Sequence, residues 1–178
     1  FVGGLTLNKG ADIVILAVAL LHKKGFSVKL HIVGDGSEQP NLINLVRELN
    51  LKGIVSFEGW QNKERLKEFY RQSHFIVLPS KGEGWPKVIS EAMAFGVIPI
   101  VSDVSSVRQI LNNFGVGKVE SSFDHENYAV SIQKYLNDPA EWERQSIKAR
   151  SAARFFTFET WSERLFSLFS KHWNITIS

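Results

Sequence analysis

Two hydrophobic periods alternate along this chain. Short apolar runs at residues 28–33, 54–57, 75–78 and 97–101 read as strands, as does the opening Phe1-Val2 run. Longer segments with helical spacing separate them. Residues 11–24 form a strongly apolar stretch that Gly25 stops. Residues 40–49 place Leu42, Leu45, Val46 and Leu49 on one helical face. Asn62 caps a predicted helix over 63–72, and Pro86 opens another over 87–95 that Gly96 closes. A short helix near 106–111 and a weak strand at 117–119 follow. From Asn127 onward the pattern is helical only, with helices predicted over 128–136, 140 to about 154, and 158–169. The last of these carries Phe158, Trp161, Leu165, Phe166, Leu168 and Phe169. That is more aromatic surface than a terminal helix needs, so it packs either on this domain or on a second one.

Strand–helix alternation of this kind predicts an α/β fold. The expected form is a Rossmann-like, doubly wound parallel sheet of about six strands, with helices on both faces, right-handed crossovers and additional C-terminal helices. The span 1–178 reads as a single domain. In such a sheet, ligands bind outside the carboxyl ends of the strands, where the strand order reverses. With the order 3-2-1-4-5-6, that crevice lies between the first and fourth strands. The loops bordering it are 3–10 and 79–86, the two most glycine-marked strand-to-helix loops of the chain.

The second loop lies within the most informative stretch, LPSKGEGWPKVISEAMAFGVIPI, residues 78–100. Glu83 lies in the loop and Glu91 on the helix, with seven residues between them. The helix start at Pro86 offers free N–H groups and a positive dipole end to an anion. Lys9, at the start of the first helix, reaches toward the same crevice; a solvated surface lysine is the other reading. Glu91 either accepts hydrogen bonds from a ribose diol or is an ordinary helix carboxylate. Glu83 either faces the ligand or serves the helix dipole. Trp60, after Gly59, either flanks a base or packs as a capping aromatic. Asp35, between Gly34 and Gly36, reads as a turn residue.

Composition narrows the chemistry. Hydrophobic residues make up 44% and charged residues 22%, ordinary globular usage, and the net charge of +3 gives no nucleic-acid footprint. No cysteine is present, so disulfides and thiolate nucleophiles are excluded. No apolar run reaches the roughly 18 residues of a bilayer span. The histidines at 22, 31, 74, 125 and 172 are scattered, without a metal-binding pair, so no metal is expected. A nucleophile elbow and a Walker A motif are absent, and Gly3, Gly4 and Gly10 have the wrong spacing for a dinucleotide fingerprint.

Taken together, these residues resemble the C-terminal, donor-binding domain of GT-B glycosyltransferases of the retaining family 4. The pieces are FVGGL…NKG, LHIVGDG, VSFEGW, LPSKGEGWPKVISEAMAFGVIPIVSD and the closing FTFETW helix; the Glu83–x7–Glu91 element is the most specific. The resemblance implies one half of a GT-B fold, with an N-terminal acceptor-binding domain as partner. It implies that Glu91 binds the ribose of a nucleotide sugar, and that Glu83, Gly84 and Trp85 approach the transferred sugar. Lys9, with Gly3 and Gly4, borders the pyrophosphate and neutralises it without a metal. Pro86, Lys87 and Val88 present the helix start, and Gly59, Trp60 and Gln61 border the base. Catalysis then rests on Glu83 and Lys9, with no cofactor beyond a UDP- or GDP-linked donor.

Two positions depart from the family pattern. Gly4 stands where an arginine is usual, and Ser105-Ser106-Val107-Arg108-Gln109 replaces a Gly-Gly-x-x-Glu run, with Arg108 a candidate replacement charge. The implied setting is cytoplasmic cell-surface polysaccharide or glycolipid synthesis, with peripheral contact at the inner membrane face through the partner domain. Two other readings are a nucleotide-sugar-binding module without catalysis, and a flavodoxin-like nucleotide binder unrelated to sugars.

Overall fold

The computed structural model describes residues 1–173. Among the described residues there are five strands: β1 (Leu30–Val33), β2 (Val55–Gly59), β3 (Phe75–Leu78), β4 (Ile98–Ser102) and β5 (Lys118–Glu120). All pairings are parallel, with β1 on β2 and the order β3-β4-β5 in a second ladder. The predicted first strand is reduced to a single bridge between Val2 and Val33. Its hydrogen bonds still run in parallel register: Val33 donates to the Phe1 carbonyl at 2.9 Å and Gly3 to the Val33 carbonyl at 3.0 Å. The sequence of neighbours β2–β1–first segment follows the reversing order expected of a doubly wound sheet.

Eight helices connect the strands: α1 (Ala11–Lys23), α2 (Gln39–Glu48), α3 (Lys63–Gln72), α4 (Lys87–Ala94), α5 (Val107–Phe114), α6 (His125–Asn137), α7 (Pro139–Ala153) and α8 (Phe158–Trp173). A 3₁₀ turn, Arg154–Phe156, links the last two. The caps explain the boundaries. Asn62 accepts from Arg65 N–H at 2.9 Å, Asp124 from Glu126 N–H at 3.1 Å and Asp138 from Glu141 N–H at 2.9 Å. The last two caps start α6 and α7 earlier than hydrophobic periodicity places them.

α1 packs on α2 and α6, whereas α4 and α5 pack on α7. Tyr70 of α3 meets Phe95 after α4 at 5.8 Å between ring centroids, which carries this second layer across the sheet. Ile15, Leu21, Ile32, Ile89, Met93, Ile98, Ile100 and Leu111 are fully buried between the layers. Burying such a side chain contributes about 1.5–3 kcal/mol each. α8 is different. Phe158, Trp161 and Phe166 are exposed, and its main neighbour is the 3₁₀ turn, where the Arg164 guanidinium lies 3.4 Å from the Phe155 ring centroid. Among the described residues no helix is long and apolar enough to cross a membrane.

Candidate functional site

Three loops meet at the carboxyl edge of the sheet, and main-chain contacts hold them there. Lys81 N–H donates to the Asn8 carbonyl at 2.8 Å, joining loop 79–86 to loop 3–10. Gly10, the residue before α1, has φ +71°, and a Cβ there would stand 2.6 Å from the Pro79 carbonyl oxygen. Only glycine accommodates both the conformation and the approach. On the other side, Leu5 N–H donates to the Asp35 carbonyl at 2.8 Å and Glu38 N–H to the Leu5 carbonyl at 3.0 Å. A Cβ at Gly34 or Gly36 would fall onto the carbonyl of Gly3 or Leu5. The Gly34-Asp35-Gly36 run is therefore a close-packing element, and Asp35 is more than a turn residue.

The Asp35 carboxylate accepts from Trp60 N–H at 3.1 Å and so fixes the loop after β2 against the loop after β1. Sequence reasoning missed this tie; two glycines flanking an acid at a strand end were the available signal. Gly59 has φ +66°, and Gln61 Nε2 donates back to the Glu58 carbonyl at 2.5 Å. The Trp60 side chain is 72% exposed, so it is a free aromatic face and not a packed cap.

Across the crevice, Lys9 Nζ forms an ion pair with the Glu83 carboxylate. Both side chains are partly buried, at 31% and 19% exposure. Lys9 is thus no solvated surface lysine, and the two candidate catalytic residues touch. Beyond Glu83, Gly84 is exposed, and the Trp85 indole turns inward to stack on Phe156 at 4.7 Å and 8°. Its Nε1 is buried with no partner. Any approach of Trp85 to a ligand is therefore through its backbone. Pro86 precedes α4 with extended ψ, so the first amides of the helix, at Lys87 and Val88, lie outside the intrahelical ladder.

Glu91 lies exposed on the second turn of α4 and accepts from the Tyr70 hydroxyl at 3.4 Å. Burial first, and then the Glu91 charge, push the Tyr70 hydroxyl above its ordinary range, so it stays a donor. Gly4 is exposed, with Asp35 O, at 3.9 Å, the nearest atom to an added Cβ. Arg108 does not offer an unmatched charge: its Nε sits 2.7 Å from Asp103 Oδ2. Ser105 keeps a left-handed backbone, φ +49°, where the family pattern carries glycine. A cavity of about 670 Å³ lies at the opposite end of the strands, lined in part by Phe1, Leu30, Phe75, Tyr135 and Trp142. Lys29, His31 and His74 also line it, but it includes neither Lys9 nor Glu83 nor Glu91.

A parallel α/β sheet covered on both faces, with glycine loops facing each other at its carboxyl edge, defines a Rossmann-like ligand-binding domain. The chain belongs to the glycosyl transferases group 1 family, whose model matches residues 1–152. It is 32% identical over 160 residues to an uncharacterized glycosyltransferase of Haemophilus influenzae, covering 89% of this chain and 44% of that protein. It is 27% identical over 178 residues to the D-inositol 3-phosphate glycosyltransferase of Rhodococcus erythropolis, covering 96% and 40%. The chain thus spans less than half the length of these curated relatives. In fold it is similar to HepE of Anabaena, solved in complex with UDP, with a TM-score of 0.84 at 20% identity over 96% of this chain and 47% of that one. The catalytic domain of cholesterol-alpha-glucosyltransferase from Helicobacter pylori gives 0.76 at 23% identity over 88% and 96%. The architecture is that of one half of a GT-B glycosyltransferase.

Proposed function

We propose that this domain binds a nucleotide-diphosphate sugar and, with an N-terminal acceptor-binding domain, transfers the glycosyl group with retention of configuration. The observation that carries this reading is the meeting of Lys9 and Glu83 across two loops that backbone contacts hold at the switch point. Breaking the anomeric C–O bond builds negative charge on the departing diphosphate. Lys9 and the first amides of α4 oppose that charge from preorganised positions. Trp60 presents its exposed face to the base, beside Gly59 and Gln61. Glu91 accepts the ribose hydroxyls and Glu83 attends the transferred sugar. Gly3 and Gly4 let the diphosphate approach the backbone. The acceptor arrives from the partner domain as the two halves close. Membrane contact, where it occurs, belongs to that partner, and the setting is cytoplasmic synthesis of a cell-surface polysaccharide or glycolipid.

Titration with UDP, GDP and their sugars, against flavins and dinucleotides, tests the reading. Nucleotide sugars bind, Lys9→Ala and Glu91→Ala weaken them, and EDTA leaves transfer intact. Binding of flavin or dinucleotide alone would place the domain outside sugar chemistry. A chelator effect reversed by manganese would reject the metal-free mechanism.

A further inference from the structure

Lys9, the cation that the donor-site reading assigns to the diphosphate, already has a partner. Lys9 is paired with Glu83, and the pair is enclosed enough that water does not fully screen it. The pairing is not a local accident of one flexible loop. Asn8 O and Lys81 N are bonded one residue before Lys9 and two before Glu83, and Gly10 packs on Pro79, so the two side chains are brought face to face by the backbone. At Gly4 no second side-chain cation stands by. Arg108, the nearest replacement suggested by the sequence, is paired with Asp103. A phosphate that draws on Lys9 therefore meets a lysine already paired with a carboxylate.

Resting on the donor-site reading, we propose that Glu83 acts as an internal competitor for Lys9, which an incoming phosphate displaces as the donor is seated. A monophosphate exchanges one anion for another at a single cation, with little net gain. A diphosphate spans further: one phosphate takes Lys9 while the other reaches the unpaired amides at the start of α4, at Lys87 and Val88. The second contact supplies the difference. Displacement also frees the Glu83 carboxylate, at the moment the donor is seated, to turn toward the sugar. Glu83 thus couples donor entry to the assembly of the site and lowers the affinity of every anion that draws on Lys9.

Calorimetric titration of the chain with UDP and UMP tests this. Glu83→Gln keeps the side-chain shape and removes the competing charge. It should tighten UDP and UMP by about the same factor, roughly threefold, in keeping with the modest strength of partly exposed ion pairs, and leave the UDP-to-UMP ratio unchanged. In the Lys9→Met background, Glu83→Gln should change neither affinity. Equal or weaker binding of both nucleotides by Glu83→Gln, with Lys9→Met still weakening UDP, overturns the competitor role and leaves the donor site standing. Insensitivity of UDP binding to Lys9→Met removes the donor-site reading itself. Thermal unfolding of each variant separates either result from loss of fold.

Discussion

Replacing Gly10 by alanine should damage the fold and the site together, and a matched control isolates the cause. Gly10 and Gly25 both have left-handed backbones, at φ +71° and +86°, and they bracket the same helix, α1. Placing an L-residue in that region costs about 1–2 kcal/mol. The unfolded-chain entropy gained by Gly→Ala is the same in both variants, so it cancels in their comparison. The surroundings differ. A Cβ at Gly25 meets nothing within 4 Å, whereas at Gly10 it stands 2.6 Å from Pro79 O and 3.0 Å from Pro79 Cγ. Ordinary contact begins near 3.4 Å, so the 79–86 loop must retreat by 3.4 − 2.6 = 0.8 Å. Overpacking of this kind costs about 1–3 kcal/mol more. Gly25→Ala should therefore lower stability by about 1–2 kcal/mol and Gly10→Ala by about 2–5. At about 2–4 °C per kcal/mol for a chain this size, the two melting temperatures should differ by several degrees. The same retreat separates Lys9 from Glu83 and from the α4 amides, so UDP affinity should fall in Gly10→Ala and not in Gly25→Ala. Equal melting temperatures and equal UDP affinities for the two variants would refute the backbone-contact account of the site.

Ser105→Gly relieves an exposed left-handed serine at φ +49° and should raise stability by about 0.5–1 kcal/mol, read as a small rise in melting temperature; a fall contradicts the strain. A second expectation concerns pH. In the chain with a free α-amine at Phe1, burial pulls that amine down to about 5, and it donates to the His31 carbonyl at 3.0 Å. Between about pH 8 and 5 the unfolded state therefore binds a proton that the folded state refuses. Stability should fall as pH drops through that window, by up to roughly 4 kcal/mol, and hold above it. N-terminal acetylation should flatten this part of the profile; identical profiles for acetylated and free chains exclude the amine as its source. Finally, Gly4→Arg should be tolerated, since Gly4 is exposed, lacks a positive φ, and has no atom nearer than 3.9 Å to an added Cβ. It should tighten UDP about tenfold through a charge-assisted phosphate contact; unchanged affinity with intact melting argues against phosphate lying beside Gly4.

The order of strands and helices was legible because apolar runs and capping residues act locally. Residues 63–72 and 75–78 fold with the boundaries read from Asn62 and Pro79. Where boundaries moved, the cause was also local but quieter. Asp124 and Asp138 cap α6 and α7 ahead of the first apolar residues, and Gly59 extends β2 past Phe57 through a register shift at Ile32–Val33. The meeting of loops 3–10 and 79–86 followed from topology and holds. The Asp35–Trp60 tie, the inward stacking of Trp85 on Phe156 and the Arg108–Asp103 pair did not follow, because each depends on which side chains long-range packing brings within reach. Hydrophobic periodicity specifies which face of an element is buried. It carries no information about the partner of a loop polar group.

Of the departures from the family pattern, Gly4 and Gln109 fall on exposed positions that the fold does not use. The loops of the cleft are joined by main-chain bonds from Gly3, Leu5, Glu38 and Lys81, by the Asp35 carboxylate, which accepts from a main-chain amide, and by the Lys9–Glu83 pair. None of these contacts needs an arginine at position 4 or a glutamate at position 109. Both are exposed, and their loss leaves the glycines at 10, 34 and 36 in the contacts that demand glycine. Architecture and charge are thus carried by separate residue sets in this site. A change at Gly10, Gly34 or Gly36 moves the loops themselves, whereas a change at Gly4, Lys9 or Glu83 changes the charge that those loops present. On the donor-site reading proposed above, the missing arginine should lower the affinity for diphosphate without moving the cradle. It also raises the share of the task that falls to Lys9, so that the hold of Glu83 on Lys9 weighs more here than in a site with two cations.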